Sequence, residues 1–159
     1  MKAVLALLCV LVVSAQAQTM QDKAESSAWI DTAQTIVGVG SGIVAEANPL
    51  GLAALVLKIP ALEHCKAQPQ YEQPACFASL SVVWSGAVAN NWCVLGAIVL
   101  SAGALAPLCP LAGIAYGVSE WTRAQPELEF WAICGQWQKE YDAVHPHGPP
   151  FTCRFAPLS

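Results

Sequence analysis

Four apolar segments cut by short polar breaks constrain this chain more than any other feature. They occupy residues 29–47, 50–62, 76–89 and 92–118. The first and third contain an internal echo: residues 41–45 read Ser-Gly-Ile-Val-Ala and residues 85–89 read Ser-Gly-Ala-Val-Ala. Each copy meets a polar break, Glu46-Ala47-Asn48-Pro49 in one and Asn90-Asn91-Trp92 in the other, and then a further apolar run. The pattern predicts an all-α fold in which a small-residue helical hairpin is used twice. Glu46 and Asn48 mark one polar turn, and Asn90 and Asn91 the other.

Local signals fill in this frame. Asn48-Pro49 closes the first segment, because the residue before proline avoids the helical region while proline suits a helix start. Gly38 and Gly42 have the spacing that permits close helix contact in membranes. Asp31 lies near the start of its segment and is read as a capping or dipole-compensating charge. Lys58 is expected to snorkel toward a headgroup layer. Residues 64–74 read as an exposed loop, and Pro107 and Pro110 predict a kink or break around Cys109. Trp29, Trp92 and Trp121 stand at segment ends, as an interfacial aromatic belt requires, whereas Trp84 reads as a packing residue.

The two ends differ from this apolar centre. Lys2, the apolar run 3–13 and Ala15-Gln16-Ala17 read as a signal peptide over residues 1–17. Residues 18–28 read as a loose polar segment, residues 29–122 as the apolar bundle, and residues 123–159 as an amphipathic helix with a Pro-rich tail. In that last helix Pro126 suits the first turn, and Glu127 and Glu129 face the positive end of the dipole. Phe130, Cys134, Trp137 and Tyr141 share one face.

Export changes the meaning of the cysteines. The chain holds seven Cys; setting aside Cys9 leaves Cys65, Cys76, Cys93, Cys109, Cys134 and Cys153. An even number in an exported chain favours disulfides, whose connectivity the sequence leaves open. Local spacing favours Cys65–Cys76, Cys93–Cys109 and Cys134–Cys153. With none in a CxxC pair, a thioredoxin-like site and a zinc ribbon are disfavoured.

Charged residues form only 11% of the chain, against about 25% in ordinary soluble domains. Too few charges remain to cover a soluble surface, so membrane insertion or a tight assembly is expected. The net charge of −4 gives no basic footprint, which argues against nucleic acid as a partner. Two features oppose a polytopic membrane protein. The second and third segments are near the length of buried or re-entrant helices, about 10–14 residues. The hairpin turns also lack Lys and Arg, while Lys58, Lys66 and Arg123 fall on the outer side, against the positive-inside rule.

Asp31, Thr35, Glu46, Asn48 and Pro49 form the string Asp-x3-Thr-x10-Glu-x-Asn-Pro. It resembles a pattern in small uncharacterised bacterial polytopic membrane proteins, in which an acidic residue opens one helix and Glu-x-Asn-Pro closes it. The resemblance implies a helical membrane protein and supplies neither substrate nor catalytic residue. The six mature cysteines and the amphipathic C-terminal helix depart from that pattern.

Candidate chemistry is sparse. Glu46 in a turn within or near a bilayer would be costly and a candidate for binding a cation or a proton; a solvated turn capped by Asn48 is the simpler reading. His145 and His147 lie near Cys153, but Cys153 is better used in a disulfide, so no metal site is expected. No Gly-x-Ser-x-Gly elbow, His-Glu-x-x-His helix or phosphate loop is present. The expectation is therefore an exported non-enzymatic protein without a cofactor. Membrane lipid and envelope proteins, or further copies of itself, would be its partners, at a bacterial-type inner membrane with a periplasmic face. The alternative is a secreted, disulfide-stabilised helical binding module or inhibitor.

Overall fold

The computed structural model describes residues 19–40, 49–149 and 151–155. Its helices are α1 (Met20–Gly40), α2 (Pro49–Lys66), α3 (Gln73–Ser101) and α4 (Cys109–Val144), with a 3-10 turn at Ala106–Leu108 before the last. They alternate in direction. Lys66 meets Glu25 and Lys58 meets Asp31 between α2 and α1. Lys23 of α1 meets Glu120 of α4, and the Met20 N–H donates to Glu127. Among the described residues there is no strand, so the all-α expectation is met at that level.

Helix α1 starts well before Trp29, which corrects the reading of residues 18–28 as loose. Thr19 and Asp22 form a reciprocal cap: the Asp22 N–H donates to Thr19 Oγ1 at 3.2 Å, and the Thr19 N–H donates to Asp22 Oδ2 at 3.2 Å. This satisfies donors that a helix start leaves orphaned. Met20, Ala24, Ala28 and Asp31 then recur at helical spacing and are all buried.

A second correction concerns Asn90 and Asn91. They lie inside the unbroken helix α3, which is 29 residues long, and not in a turn. The real break follows Ser101, where Ala102 has φ 49° and Gly103 φ 89°. Consequently the predicted segments 76–89 and 92–118 do not correspond to separate helices. A third correction is that α4 runs through Pro126 for 36 residues, so the end of the fourth segment and the amphipathic C-terminal helix are one element. The echo at residues 41–45, with Glu46 and Asn48, lies outside the described residues; its copy at 85–89 sits within α3.

The six cysteines pair as Cys65–Cys76, Cys93–Cys109 and Cys134–Cys153, with Cα separations of 5.4, 5.3 and 6.3 Å. The first ties α2 to α3, the second ties α3 to α4, and the third returns the tail to α4. Phe155 then packs on Phe130, and Phe151 on Tyr141.

The bundle divides along its axis. At one end Met20, Leu62, Cys65 and Phe77 are buried, beneath the charged network of Lys23, Glu25, Lys66, Glu120 and Arg123. Toward the other end the interior narrows to small residues. A Cβ on Gly113 would lie 2.7 Å from the Gly86 carbonyl oxygen, and one on Gly117 would lie 3.1 Å from that of Val82. Glycine is thus what lets α3 and α4 approach so closely. Large apolar side chains point outward from all four helices in this half. Trp29, Ile36 and Val37 do so on α1; Val56, Leu57 and Ile59 on α2; Val83, Val99 and Leu100 on α3; and Leu111, Ile114, Val118 and Trp121 on α4. Among the described residues α3 alone is long and apolar enough to cross a membrane, by length and composition.

Candidate functional site

Within residues 26–40, 49–62 and 73–119 the only Asp, Glu, Lys or Arg residues are Asp31 and Lys58. The fold brings these two together. Lys58 Nζ donates to Asp31 Oδ2 at 2.6 Å, to Thr32 Oγ1 at 3.1 Å and to the Ala28 carbonyl oxygen at 3.3 Å. All three ammonium donors are thereby used. Asn91 Nδ2 donates to Asp31 Oδ1 at 2.8 Å, so both carboxylate oxygens are bonded. The same Asn91 amide lies 3.5 Å from Gln34 Oε1.

Local sequence explains the meeting. Asp31 continues the buried face of α1 set by Ala24 and Ala28, and Lys58 follows Val56 and Leu57 on α2. Lys58 is only 5% exposed, so it turns inward and does not snorkel, which corrects the expectation for that residue. Asp31 is likewise no cap, because α1 began at Met20. A lone buried charge would be heavily penalised, and this arrangement instead uses all three Lys58 donors and bonds both Asp31 carboxylate oxygens. A shallow recess of about 80 Å³ opens beside Lys58, flanked by Trp29, Ile59 and Leu62.

One level up, Ser27 and Ser85 share a hydrogen bond of 2.7 Å between α1 and α3. Ser85 is the first residue of the second echo copy, and Gly86 is the second. The echo residues described here therefore serve helix packing. Of the four polar-turn candidates, Asn91 joins the buried pair and Asn90 packs its Cβ beside Gly113. Glu46 and Asn48 lie outside the described residues. From the resemblance string, Thr35 donates back to the Asp31 carbonyl oxygen and Pro49 opens α2.

A second recess, about 170 Å³, lies at the charged end, with Phe77 and Trp131 as apolar walls and Gln70, Gln73 and Glu127 as polar ones. Burial raises the Glu127 carboxyl above its ordinary value, and the hydrogen bond from Met20 opposes the shift. On the surface, the hydrogen bonds that the Lys66 ammonium donates to Glu63 and then Glu25 raise its pKa. The histidine His145 stacks on Tyr141 at 4.5 Å, and Cys153 is bonded to Cys134, which leaves no thiolate for the two histidines. Among the described residues no group of three or more metal-ligating side chains converges.

Sequence reasoning missed the Asp31–Lys58 pair although one signal pointed to it. Two opposite charges isolated in otherwise uncharged apolar segments must find each other or water. Comparison with protein-family models, curated proteins and solved structures finds no match to the chain.

Proposed function

We propose that this chain is an exported, small helical membrane protein with a structural or interaction role in a bacterial-type cell envelope. One observation carries the reading. Large apolar side chains face outward from all four helices at the same half of the bundle, while among the described residues of that half the only two charges, Asp31 and Lys58, are paired inside. A protein partner would cover one side of such a bundle, whereas lipid surrounds it. Close packing through glycine with large side chains outside is also how helices associate in a bilayer. Trp29 and Trp121 stand near the boundary with the charged end, where interfacial aromatics are favoured.

The three disulfides support export to an oxidising compartment. The chemistry of the buried pair supports a structural use: with all its hydrogen bonds satisfied internally, it fixes the register of α1, α2 and α3. The exposed Ile133 and Trp137 on α4 offer a surface for an envelope protein or a second copy.

Carbonate extraction of native membranes tests the reading. The mature chain is expected to stay with the membrane pellet after carbonate treatment. Release as a soluble monomer would overturn it in favour of a secreted helical binding module or inhibitor.

A further inference from the structure

The connection between α3 and α4 differs from every expectation for a turn facing water. Residues 102–108 read Ala-Gly-Ala-Leu-Ala-Pro-Leu, without a charged or polar side chain. The two most exposed large apolar side chains among the described residues flank it, Leu100 at 85% and Val99 at 81%. Leu105, Leu108 and Leu111 are exposed beside them. The α2–α3 connection at the opposite end instead reads Ala-Gln-Pro-Gln-Tyr-Glu over 67–72.

The backbone donors of this apolar tip are bonded within it. The N–H groups of Ala102 and Gly103 both donate to the Ala97 carbonyl oxygen. Ala104 donates to the Ser101 carbonyl oxygen, and Leu105 donates to the Ser101 hydroxyl. Ala106 donates to Gly103, Leu108 to Leu105 and Cys109 to Ala106, while residue 107 is proline and has no donor. Every N–H from Ala102 through Cys109 is therefore bonded without water. Bonding backbone donors internally is part of the condition for placing a turn in hydrocarbon.

Two further facts decide how deep the tip goes. Directly behind it stands the Cys93–Cys109 disulfide, a bond made and kept on the oxidising side. The outward apolar face measures about 26 Å along α3, from Val83 to Leu100, and about 15 Å along α4, from Leu111 to Trp121, at about 1.5 Å per residue. The α4 face is well short of the hydrocarbon core of about 30 Å, and the α3 face, its hairpin partner, falls just under it.

We infer that residues 99–111 form an apolar tip that enters the lipid bilayer from the disulfide-forming side and stops within it. The chain is then anchored from one face of the membrane and does not cross it. This rests on the membrane reading above and adds the direction and depth of insertion.

The test uses the full chain with one added cysteine, Leu105→Cys or Ala104→Cys at the tip and Gln70→Cys as the aqueous reference. All three sites are exposed or partly exposed, and mass mapping verifies that the three native disulfides remain. Each protein is added to preformed phosphatidylethanolamine–phosphatidylglycerol vesicles, floated, and treated with a membrane-impermeant maleimide outside or trapped inside. Gln70→Cys should react fully from outside. Both tip variants should resist reagent from either side over the same time and react once detergent dissolves the vesicles. Reaction with trapped reagent would mean that the tip crosses, and reaction from outside that it never enters; either overturns one-sided insertion and leaves the membrane reading standing. Failure of the reference protein to float would overturn the membrane reading itself.

Discussion

The two halves of the bundle differ in what they bury around their centres, although the charged end also buries Glu120 and Glu127 and exposes Ile133 and Trp137. At the charged end Phe77, Met20 and Leu62 are inside, and Lys66, Glu63 and Arg123 are outside. In the apolar half Gly86, Gly113 and Ala97 lie at the helix contacts, Leu111 and Ile114 face outward, and the charged pair is interior. The first half follows the hydrophobic effect in water. On the proposed membrane reading, the second suits surroundings as apolar as its own side chains, where close packing and satisfied hydrogen bonds hold helices together. A single chain built both ways has a boundary, and Trp29, Trp84 and Trp121 lie near it.

The contrast is broken most severely at the buried pair. Lys58→Met leaves Asp31 with Asn91 alone and should cost about 3–5 kcal/mol, the range for stranding one partner of a buried ion pair. Chemical denaturation in detergent micelles would measure it. The double variant Asp31→Leu with Lys58→Met should recover most of that loss, because no uncompensated charge remains. Equal loss in the single and double variants would show that the pair matters for more than its own neutrality.

The next effect concerns glycine. Gly113→Ala would place a Cβ 2.7 Å from the Gly86 carbonyl oxygen, and forcing α3 and α4 apart should cost about 1–3 kcal/mol. Gly96 lies on the same helix as Gly86 with nothing within 4 Å of an added Cβ. Gly96→Ala should therefore stabilise the helix, by up to about 1 kcal/mol. Opposite signs at these two positions would sharpen the account of how the apolar half is packed.

The smallest effect lies at the charged end. Because burial raises the folded-state pKa of Glu127, the folded state holds that proton more tightly than the unfolded chain does. Stability should fall as pH rises from the ordinary carboxyl value of 4.5 through the raised folded value, and then level off. Glu127→Gln keeps an acceptor for the Met20 N–H and removes the ionisation. It should flatten that slope while leaving stability at neutral pH equal or slightly higher. Thermal melts of both proteins across that pH interval would read the difference.

Much of this architecture was legible in the sequence, and the failures have physical causes. The helical class followed from apolar segments rich in Ala, Gly and Leu. Short loops placed each cysteine near its partner, so nearest-neighbour spacing matched the observed pairs. Asn90-Asn91 misled because Asn prefers turns only while its amide lacks a better partner. Here Asp31, sixty residues earlier in the chain, supplies one, and no local window contains that information. Pro126 misled for a similar reason, since packing on both sides carries α4 through it. The start of α1, by contrast, was readable: Thr19 and Asp22 have capping-box spacing, but the polar character of residues 18–28 hid an interior face of Met20, Ala24 and Ala28.

The division into two halves is tested most directly by a phospholipid carrying a photoactivatable group on its acyl chain. With the protein bound to such vesicles, illumination and peptide mapping locate every site that touches hydrocarbon. Adducts should fall on residues 26–40, 56–62 and 82–121, with the tip at 99–111 heavily modified, and should be absent from residues 63–76 and 124–144. Adducts spread evenly over both halves, or confined to the charged end, would contradict the account.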